Sequence, residues 1–322
     1  MEYTRLTGTG LDVSRICIGA MMFGEQMPEA EAIKAVHYAL SEGVNFYDTA
    51  NVYTGGRSEE IMGKAMKGQR DKFILATKVG MAYDKTPNKY GLSRLLILEQ
   101  IEKSLKRLDT DYIDVYYMHK PDPTTPVEET LYTMDTLVRS GKVRYIGASN
   151  FAAWQICQMY YEGKNANTIR PVVTQMVYNM ITRGLEQELI PFLKAYKMGL
   201  VVYNPIAAGF LTDKYAQKKQ LANTRFTNDK KYADRYWNEE NFQAWDEIKK
   251  IADNEGISML DLAMRWLYST GNVDSIITGF SKLEQLEQNL KSIEKGNLSA
   301  ESMAMCDSVW AKLSGTRFNY NR

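Results

Sequence analysis

Histidine is almost missing: 322 residues contain only His37 and His119. Cysteine is nearly as scarce, with Cys17, Cys157 and Cys306 far apart and odd in number. Structural zinc sites need clustered thiolate or imidazole ligands, and disulfide frameworks need pairs. Neither is expected, no metal is expected, and the thiol usage suits a reducing cytoplasm. Charge of one sign is missing too. The chain has 40 basic and 39 acidic residues, a net of +1, so no broad field recruits nucleic acid or anionic lipid, and any anion site must be local. No apolar run reaches membrane-spanning length, and Met1–Gly10 lacks the apolar centre of a signal peptide. No G-x-G-x-x-G follows a strand-like run, which argues against a Rossmann dinucleotide site. No Gly- or Pro-rich linker divides the chain, so residues 1–322 are expected to form one domain. With 44% hydrophobic residues, that length supplies a large core without covalent staples.

What is present is an alternation of short apolar runs and longer amphipathic stretches. Tyr3–Arg5 and Leu11–Val13 flank Gly8 and Gly10 and predict a small hairpin. Eight strand-like runs follow: Arg15–Ile18, Val44–Asp48, Phe73–Lys78, Tyr112–Met118, Val143–Ala148, Val172–Val177, Leu200–Tyr203 and Asp274–Thr278. Each is followed by a stretch at helical spacing, such as Pro28–Ser41 with Ile33, Val36 and Leu40 on one face. Further helices are expected at Gly91–Arg107, Val127–Ser140, Ala152–Glu162, Glu186–Lys197, Glu239–Asn254, Ser258–Ser269 and Ser281–Lys291. Ser58, ahead of Glu59 and Glu60, reads as a helix N-cap. Eight β–α units in a row predict an α/β fold, a closed (β/α)8 barrel of the TIM type. To it are added the N-terminal β-hairpin, a long loop after the seventh strand (Ala207–Trp237) and an extra C-terminal helix at Ser299–Leu313. Ala207–Trp237 and the shorter Val79–Leu92 would lie on the catalytic face as functional loops.

Asp48, Lys78 and His119 each fall at or just past the C-terminal end of a predicted strand, and Tyr53 lies in the loop after the second one. Barrel enzymes gather reacting groups on that face. The four residue types suit one task, the reduction of a carbonyl, which needs a hydride donor and a proton donor. A free tyrosine has a pKa of about 10, too high for easy donation near neutrality. An ammonium beside it stabilises the phenolate. Lys78 would supply that charge, Asp48 would hold Lys78, and His119 would polarise the substrate oxygen or share the proton. Each residue also has a plainer reading: Asp48 as a turn cap, Lys78 as a surface lysine, Tyr53 as one of 21 tyrosines. His37, inside the first predicted helix, is expected to be structural.

Together these residues resemble the tetrad of the aldo-keto reductases, carried by Asp48-Thr49-Ala50-x-x-Tyr53, Lys78 and His119. Further segments resemble the family's other motifs, in the same order along the chain. They are Ser104-Leu105-Lys106-Arg107-Leu108-x-x-Asp111-Tyr112-Ile113-Asp114, Gly141-Lys142-Val143-Arg144-Tyr145-Ile146-Gly147-x-Ser149-Asn150-Phe151, Tyr203-Asn204-Pro205-x-Ala207-x-Gly209-x-Leu211-Thr212 and Gly279-x-Ser281-x-x-x-Gln285-Leu286-x-x-Asn289. The details look closer to the branch containing bacterial reductases and potassium-channel β subunits than to the aldose reductase branch.

The resemblance implies NADPH-dependent reduction of an aldehyde or ketone by hydride transfer from the nicotinamide. Tyr53 would be the general acid, Lys78 and Asp48 its tuning pair, and His119 the carbonyl orienter. Ser149, Asn150 and Gln175 match the positions that hold the carboxamide, and Tyr203 matches the ring that stacks on the nicotinamide. Ala20, Met21, Asp48, Asn204, Pro205, Ile206 and Ala207 complete the expected cofactor wall. The phosphates would take Gly209, Leu211, Lys214 and Arg225 on one side and Gly279, Ser281 and Lys282 on the other. Gln285, Gln288 and Asn289 would lie at the adenosine. The acid expected just before Asn289 is Gln288 here, and the arginine some branches carry at 285 is Gln285; the resemblance favours NADP over NAD. Candidate apolar pocket walls are Met22, Phe23, Tyr83, Tyr90, Tyr232, Tyr236, Trp237, Phe318 and Tyr320. The expected partner is a small-molecule carbonyl compound, with no nucleic acid and no membrane. The branch resembled often assembles, which leaves a homo-oligomer open. Two other readings stay open: a cofactor-binding redox sensor or regulatory subunit with little turnover, and a lyase using Lys78 as a Schiff-base amine.

Overall fold

In the computed structural model, which describes residues 1–81, 86–222 and 224–315, the apolar runs become ten strands. The hairpin pairs β1 (Tyr3–Arg5) with β2 (Asp12–Ser14) in antiparallel register, Thr4 opposite Val13. The other eight are β3 (Ile16–Gly19), β4 (Phe46–Asp48), β5 (Ile74–Val79), β6 (Ile113–Met118), β7 (Val143–Ser149), β8 (Val173–Val177), β9 (Gly199–Tyr203) and β10 (Ser275–Thr278). They run in chain order around a closed parallel barrel, β10 returning to β3. The fold is therefore the (β/α)8 barrel with an N-terminal hairpin. By their contacts the residues form two compact units. One holds the barrel and comprises residues 1–176, 186–203 and 273–287; the other comprises 177–185, 204–272 and the chain from 288 onward.

Strand alternation decides what fills the barrel. Cys17, Phe46, Ala76, Val115, Tyr117, Val173, Val201 and Ile277 form one buried cluster, joined by Leu6 and Val13 of the hairpin segment. Side chains two apart on a strand share a face. Two residues beyond Phe46, Ala76, Tyr117, Val173 and Val201 stand Asp48, Lys78, His119, Gln175 and Tyr203. The apolar layer thus places a polar layer directly above it, at the C-terminal mouth of the strands. Registers such as Asp48 opposite Ala76 and Lys78 opposite Tyr117 set their heights.

Helices Glu29–Ser41, Arg57–Met66, Arg94–Leu108, Val127–Arg139, Ala153–Asn165 and Leu189–Tyr196 follow β3 to β8. Ser93 begins the Arg94–Leu108 helix as its cap, its side chain accepting from the Leu96 amide. Ser58 differs from expectation. The helix starts at Arg57 with Gly56 in the capping position, and the Ser58 hydroxyl turns inward to bond Ala20 and Thr49. His37 is structural, its Nε2 standing 2.9 Å from the Ala65 carbonyl oxygen of the next helix.

The second unit contains helices Glu239–Asn254, Met259–Ser269 and Ala300–Leu313, the last being the expected C-terminal helix with Ser299 as its cap. The stretch Ala207–Trp237 is not the featureless loop its polar composition suggests. It holds short helical turns at Ala207–Gly209 and Asp213–Tyr215 and helices Arg225–Asn228 and Lys230–Tyr236. Its aromatics make a small core of their own: Phe210, Tyr215, Phe226 and Trp237 pack with Phe242 at centroid separations of 5.0–6.4 Å. No helix among the described residues is long and apolar enough to cross a membrane.

Gly147 shows how tightly the barrel interior is filled. It lies opposite Tyr117, and a Cβ there would stand 2.4 Å from two carbons of that ring. Gly147→Ala is expected to destabilise the protein by about 1–3 kcal/mol through overpacking. Gly279→Ala, where a Cβ meets nothing within 4 Å, is the matched control. Urea unfolding midpoints of the two variants check this, and equal midpoints would count against it.

Candidate active site

Lys78 is the centre of the site and has no exposed side-chain surface. Its ammonium donates three hydrogen bonds: to Asp48 Oδ2 at 2.5 Å, to the Thr49 carbonyl at 2.8 Å and to the Tyr53 hydroxyl at 3.2 Å. That uses every N–H it has. Burial works against its charge, but Asp48 and Tyr53 outweigh burial and hold its pKa above the ordinary lysine value. A lysine kept protonated is a poor nucleophile, which weighs against Schiff-base chemistry. Burial pushes the Asp48 carboxyl upward, opposed by Lys78 and by Gln175, whose Nε2 donates to Asp48 Oδ1 at 2.7 Å. Both oxygens of the carboxylate are therefore engaged from two different strands.

Tyr53 is half-buried in the turn Tyr53–Gly56, with its ring 4.8 Å from the Lys78 ammonium and edge-on to His119 at 5.8 Å between centroids. His119 follows β6 directly, and its amide donates to the Val79 carbonyl at 2.8 Å. Burial, then the nearby Lys78 and Lys120 charges, drive its pKa down to about 2. His119 is neutral at any physiological pH. It can orient an oxygen by a hydrogen bond but does not arrive as an imidazolium acid. Of the two roles the sequence left open, polarising the substrate oxygen fits a neutral ring. The floor is uncharged: burial raises the Cys17 thiol and the Tyr117 phenol well above their ordinary pKa values.

The expected carboxamide positions Ser149, Asn150 and Gln175 come together with Tyr203 in the barrel unit. Asn150 donates from Nδ2 to the His119 carbonyl at 2.9 Å and to Ser149 Oγ at 3.1 Å, and Tyr203 donates to Asn150 Oδ1 at 2.6 Å. Asn150 takes a left-handed φ of 64°, which asparagine tolerates better than most residues. Ala20 is buried, its carbonyl accepting from Ser58, while Met21 is exposed. Gly279 faces open space. Ser281 is capped by Gln285, whose Oε1 accepts from the Ser281 amide at 2.9 Å, and Lys282 is exposed. The side chain at 285 is thus partly occupied in starting the Leu283–Glu294 helix.

In the second unit, Asn204 organises the expected cofactor loop Asn204, Pro205, Ile206, Ala207, Gly209 and Leu211. It accepts from the Ala208 amide at 2.5 Å, donates to the Tyr236 hydroxyl at 2.8 Å and has φ 60°. Lys214 lies against Gly209 and over the Tyr215 ring. Desolvation and then the Arg225 guanidinium lower its pKa. Two cations held near each other are the donor set a phosphate needs, so these residues fit a dinucleotide's anionic centre. The aromatic core explains how they are held, since Lys214 precedes buried Tyr215 and Arg225 precedes buried Phe226. Gln288 is exposed and Asn289 buried on the Leu283–Glu294 helix.

Several proposed pocket walls have other jobs. Met22 and Phe23 are buried, Phe23 against Phe280 at 5.9 Å. Tyr236 and Trp237 belong to the second unit's packing, and Tyr232 lies beside Arg225 and Arg235. Tyr90 is exposed. Tyr83, Phe318 and Tyr320 lie outside the described residues. Sequence reasoning missed Thr77 and Arg107 and misread Ser58, while Glu59 does stand in the first helical turn as expected. Their signal was polar residues at positions that strand and helix periodicity turn inward.

The depressed His119 pKa fixes the sign of an acid effect. The unfolded chain takes up a proton near pH 6.5 that the folded chain refuses until about pH 2. This stability is complete above pH 6.5 and is lost as pH falls through that window, by about 2 kcal/mol at pH 5. The urea midpoint is expected to drop between pH 7 and 5, and His119→Gln should remove most of that drop. An equal drop in both proteins would sink the assignment.

Comparison with known proteins agrees with this geometry. The aldo/keto reductase family model matches residues 15–311. Among relatives, a probable voltage-gated potassium channel subunit beta of Oryza sativa subsp. japonica is 39% identical over 301 residues, covering 91% of this chain and 92% of its own. Aldo-keto reductase YhdN of Bacillus subtilis is 35% identical over 308 residues, 94% of this chain and 91% of its own. Aflatoxin B1 aldehyde reductase member 2 of Rattus norvegicus is 34% identical over 323 residues, 95% of this chain and 87% of its own. A match of that extent, carried on a closed barrel with Asp48, Tyr53, Lys78 and His119 gathered at its mouth, makes this chain a member of the aldo/keto reductase family.

Proposed function

We propose that the protein is an NADPH-dependent carbonyl reductase that converts an aldehyde or ketone to an alcohol. The observation that carries the reading is the Lys78 ammonium bonded at once to Asp48 and to the Tyr53 hydroxyl. A bound nicotinamide cofactor would supply hydride from C4 of its reduced ring. Tyr53 gives its proton to the carbonyl oxygen as negative charge develops there. Lys78 stabilises the phenolate left behind, which brings an ordinarily weak acid into range. Asp48 balances the buried ammonium. His119, neutral, donates a hydrogen bond that orients the carbonyl oxygen.

Ser149, Asn150 and Gln175 would hold the carboxamide, with Tyr203 against the ring face. For the phosphates the family likeness points to Gly209, Leu211, Lys214 and Arg225, and to Gly279, Ser281 and Lys282. Lys282 at a 2′-phosphate favours NADP over NAD. The relatives named as potassium channel β subunits favour a second reading, a cofactor-binding redox sensor or regulatory subunit with little turnover. Wild-type protein that binds NADPH tightly yet oxidises none of it across a panel of aldehydes would select that reading.

Tyr53→Phe is expected to lower kcat by about 100-fold or more while the NADPH Kd stays within about twofold. Retained activity would remove Tyr53 as the acid. Lys282→Met is expected to weaken NADPH binding by about tenfold and leave NADH unchanged, since one charge-assisted phosphate contact is lost. Fluorescence titration with both cofactors reads this, and equal effects on the two would refute the 2′-phosphate role.

A further inference from the structure

Each charged residue of the site has a neighbour turned the other way. Thr49 follows Asp48 and Thr77 precedes Lys78, so strand alternation points both away from the barrel interior. Both are buried, and consecutive residues of one helix hold them. The Thr49 and Ser58 hydroxyls lie 2.7 Å apart, and Thr77 Oγ1 donates to Glu59 Oε1 at 2.6 Å. Ser58 spends its own proton on the Ala20 carbonyl at 2.7 Å, so Thr49 is the donor of that pair. Ser58 and Glu59 lie in the first turn of the Arg57–Met66 helix, which begins where the Tyr53 turn ends. The Ser58 amide donates back into that turn, to Thr54 Oγ1 at 3.0 Å.

The other Glu59 oxygen takes Arg107, from Nε at 2.7 Å and Nη2 at 2.6 Å. Glu59 has no exposed side-chain surface, so this guanidinium is what makes its burial tolerable. Arg107 also braces the turn itself, since a Cβ on Gly56 would stand 2.9 Å from Arg107 Cδ. The turn needs bracing. Thr54, Gly55 and Gly56 have φ of 48°, 65° and 93°, so its backbone departs from a regular helix even though the Arg57 amide bonds the Tyr53 and Thr54 carbonyls.

We propose that Ser58, Glu59 and Arg107 are positioning residues that set the Tyr53 oxygen against Lys78 from outside the barrel, through Thr49 and Thr77. The inference rests on Tyr53 being the proton donor. The frame ties the helix that follows the Tyr53 turn to the two strands that carry Asp48 and Lys78. Loosening it lengthens the phenol-to-ammonium separation, which weakens the charge that stabilises the phenolate and misplaces the proton.

Thr77→Val removes the hydroxyl at nearly constant volume and leaves the Glu59–Arg107 pair in place; Thr77→Ser restores the bond. Two readouts are taken: kcat and KM for NADPH with an aldehyde, and the Tyr53 phenol titration by carbon-13 tyrosine NMR, assigned with Tyr53→Phe. Thr77→Val is expected to lower kcat about tenfold with KM within about twofold, and to raise the Tyr53 titration midpoint by about one pH unit. Thr77→Ser should return both. A folded Thr77→Val protein with wild-type kcat and titration overturns the proposal. Should Thr77→Val fail to fold, Ser58→Ala is read the same way, and an unmoved midpoint there overturns it equally. If the wild type reduces no carbonyl, the reading of Tyr53 as acid fails, while the titration still decides the positioning role.

Discussion

The buried Lys78–Asp48 pair is the constraint on which the site depends. An ammonium without water survives only where a carboxylate and further acceptors replace it, and losing one partner of such a pair typically costs about 3–5 kcal/mol. Here Asp48, the Thr49 carbonyl and the Tyr53 hydroxyl take its three protons, and Gln175 takes the other carboxylate oxygen. The surrounding strands must therefore keep their register. A one-residue slip of β4 or β5 would turn the charge outward and an apolar neighbour inward.

The same desolvation that makes the pair expensive makes it useful. Against it, Asp48 and Tyr53 hold Lys78 charged, and it keeps His119 neutral. On the proposed function, one environment thus divides the labour between a cation that tunes a phenol and an imidazole that orients the carbonyl. In the second unit the balance is different. Lys214 and Arg225 are held by the packing of Tyr215 and Phe226, and desolvation and then the Arg225 charge lower the Lys214 pKa. It is the aromatic core of an apparently polar insertion that keeps the two cations in place.

The sequence by itself determined the barrel. Period-two apolar runs alternating with helical stretches read as eight β–α units, and the boundaries agree to within a few residues, as for Val143–Ala148 against Val143–Ser149. The four tetrad positions were legible because strand ends can be counted and because histidine is so rare here. Tertiary structure decided what counting cannot. Ser58 read locally as a cap, yet it bonds Ala20 and Thr49, partners 38 and 9 residues away. Met22 and Phe23 read as pocket walls, yet they are buried, because Phe280 comes to Phe23 from the far end of the chain. Ala207–Trp237 read as open loop, because its aromatics are spaced by no helical or strand period and find each other only in three dimensions. Local pattern fixes which way a side chain points along its own element. Which element it meets, and hence whether it caps, packs or carries a proton, depends on contacts between residues that the chain keeps far apart.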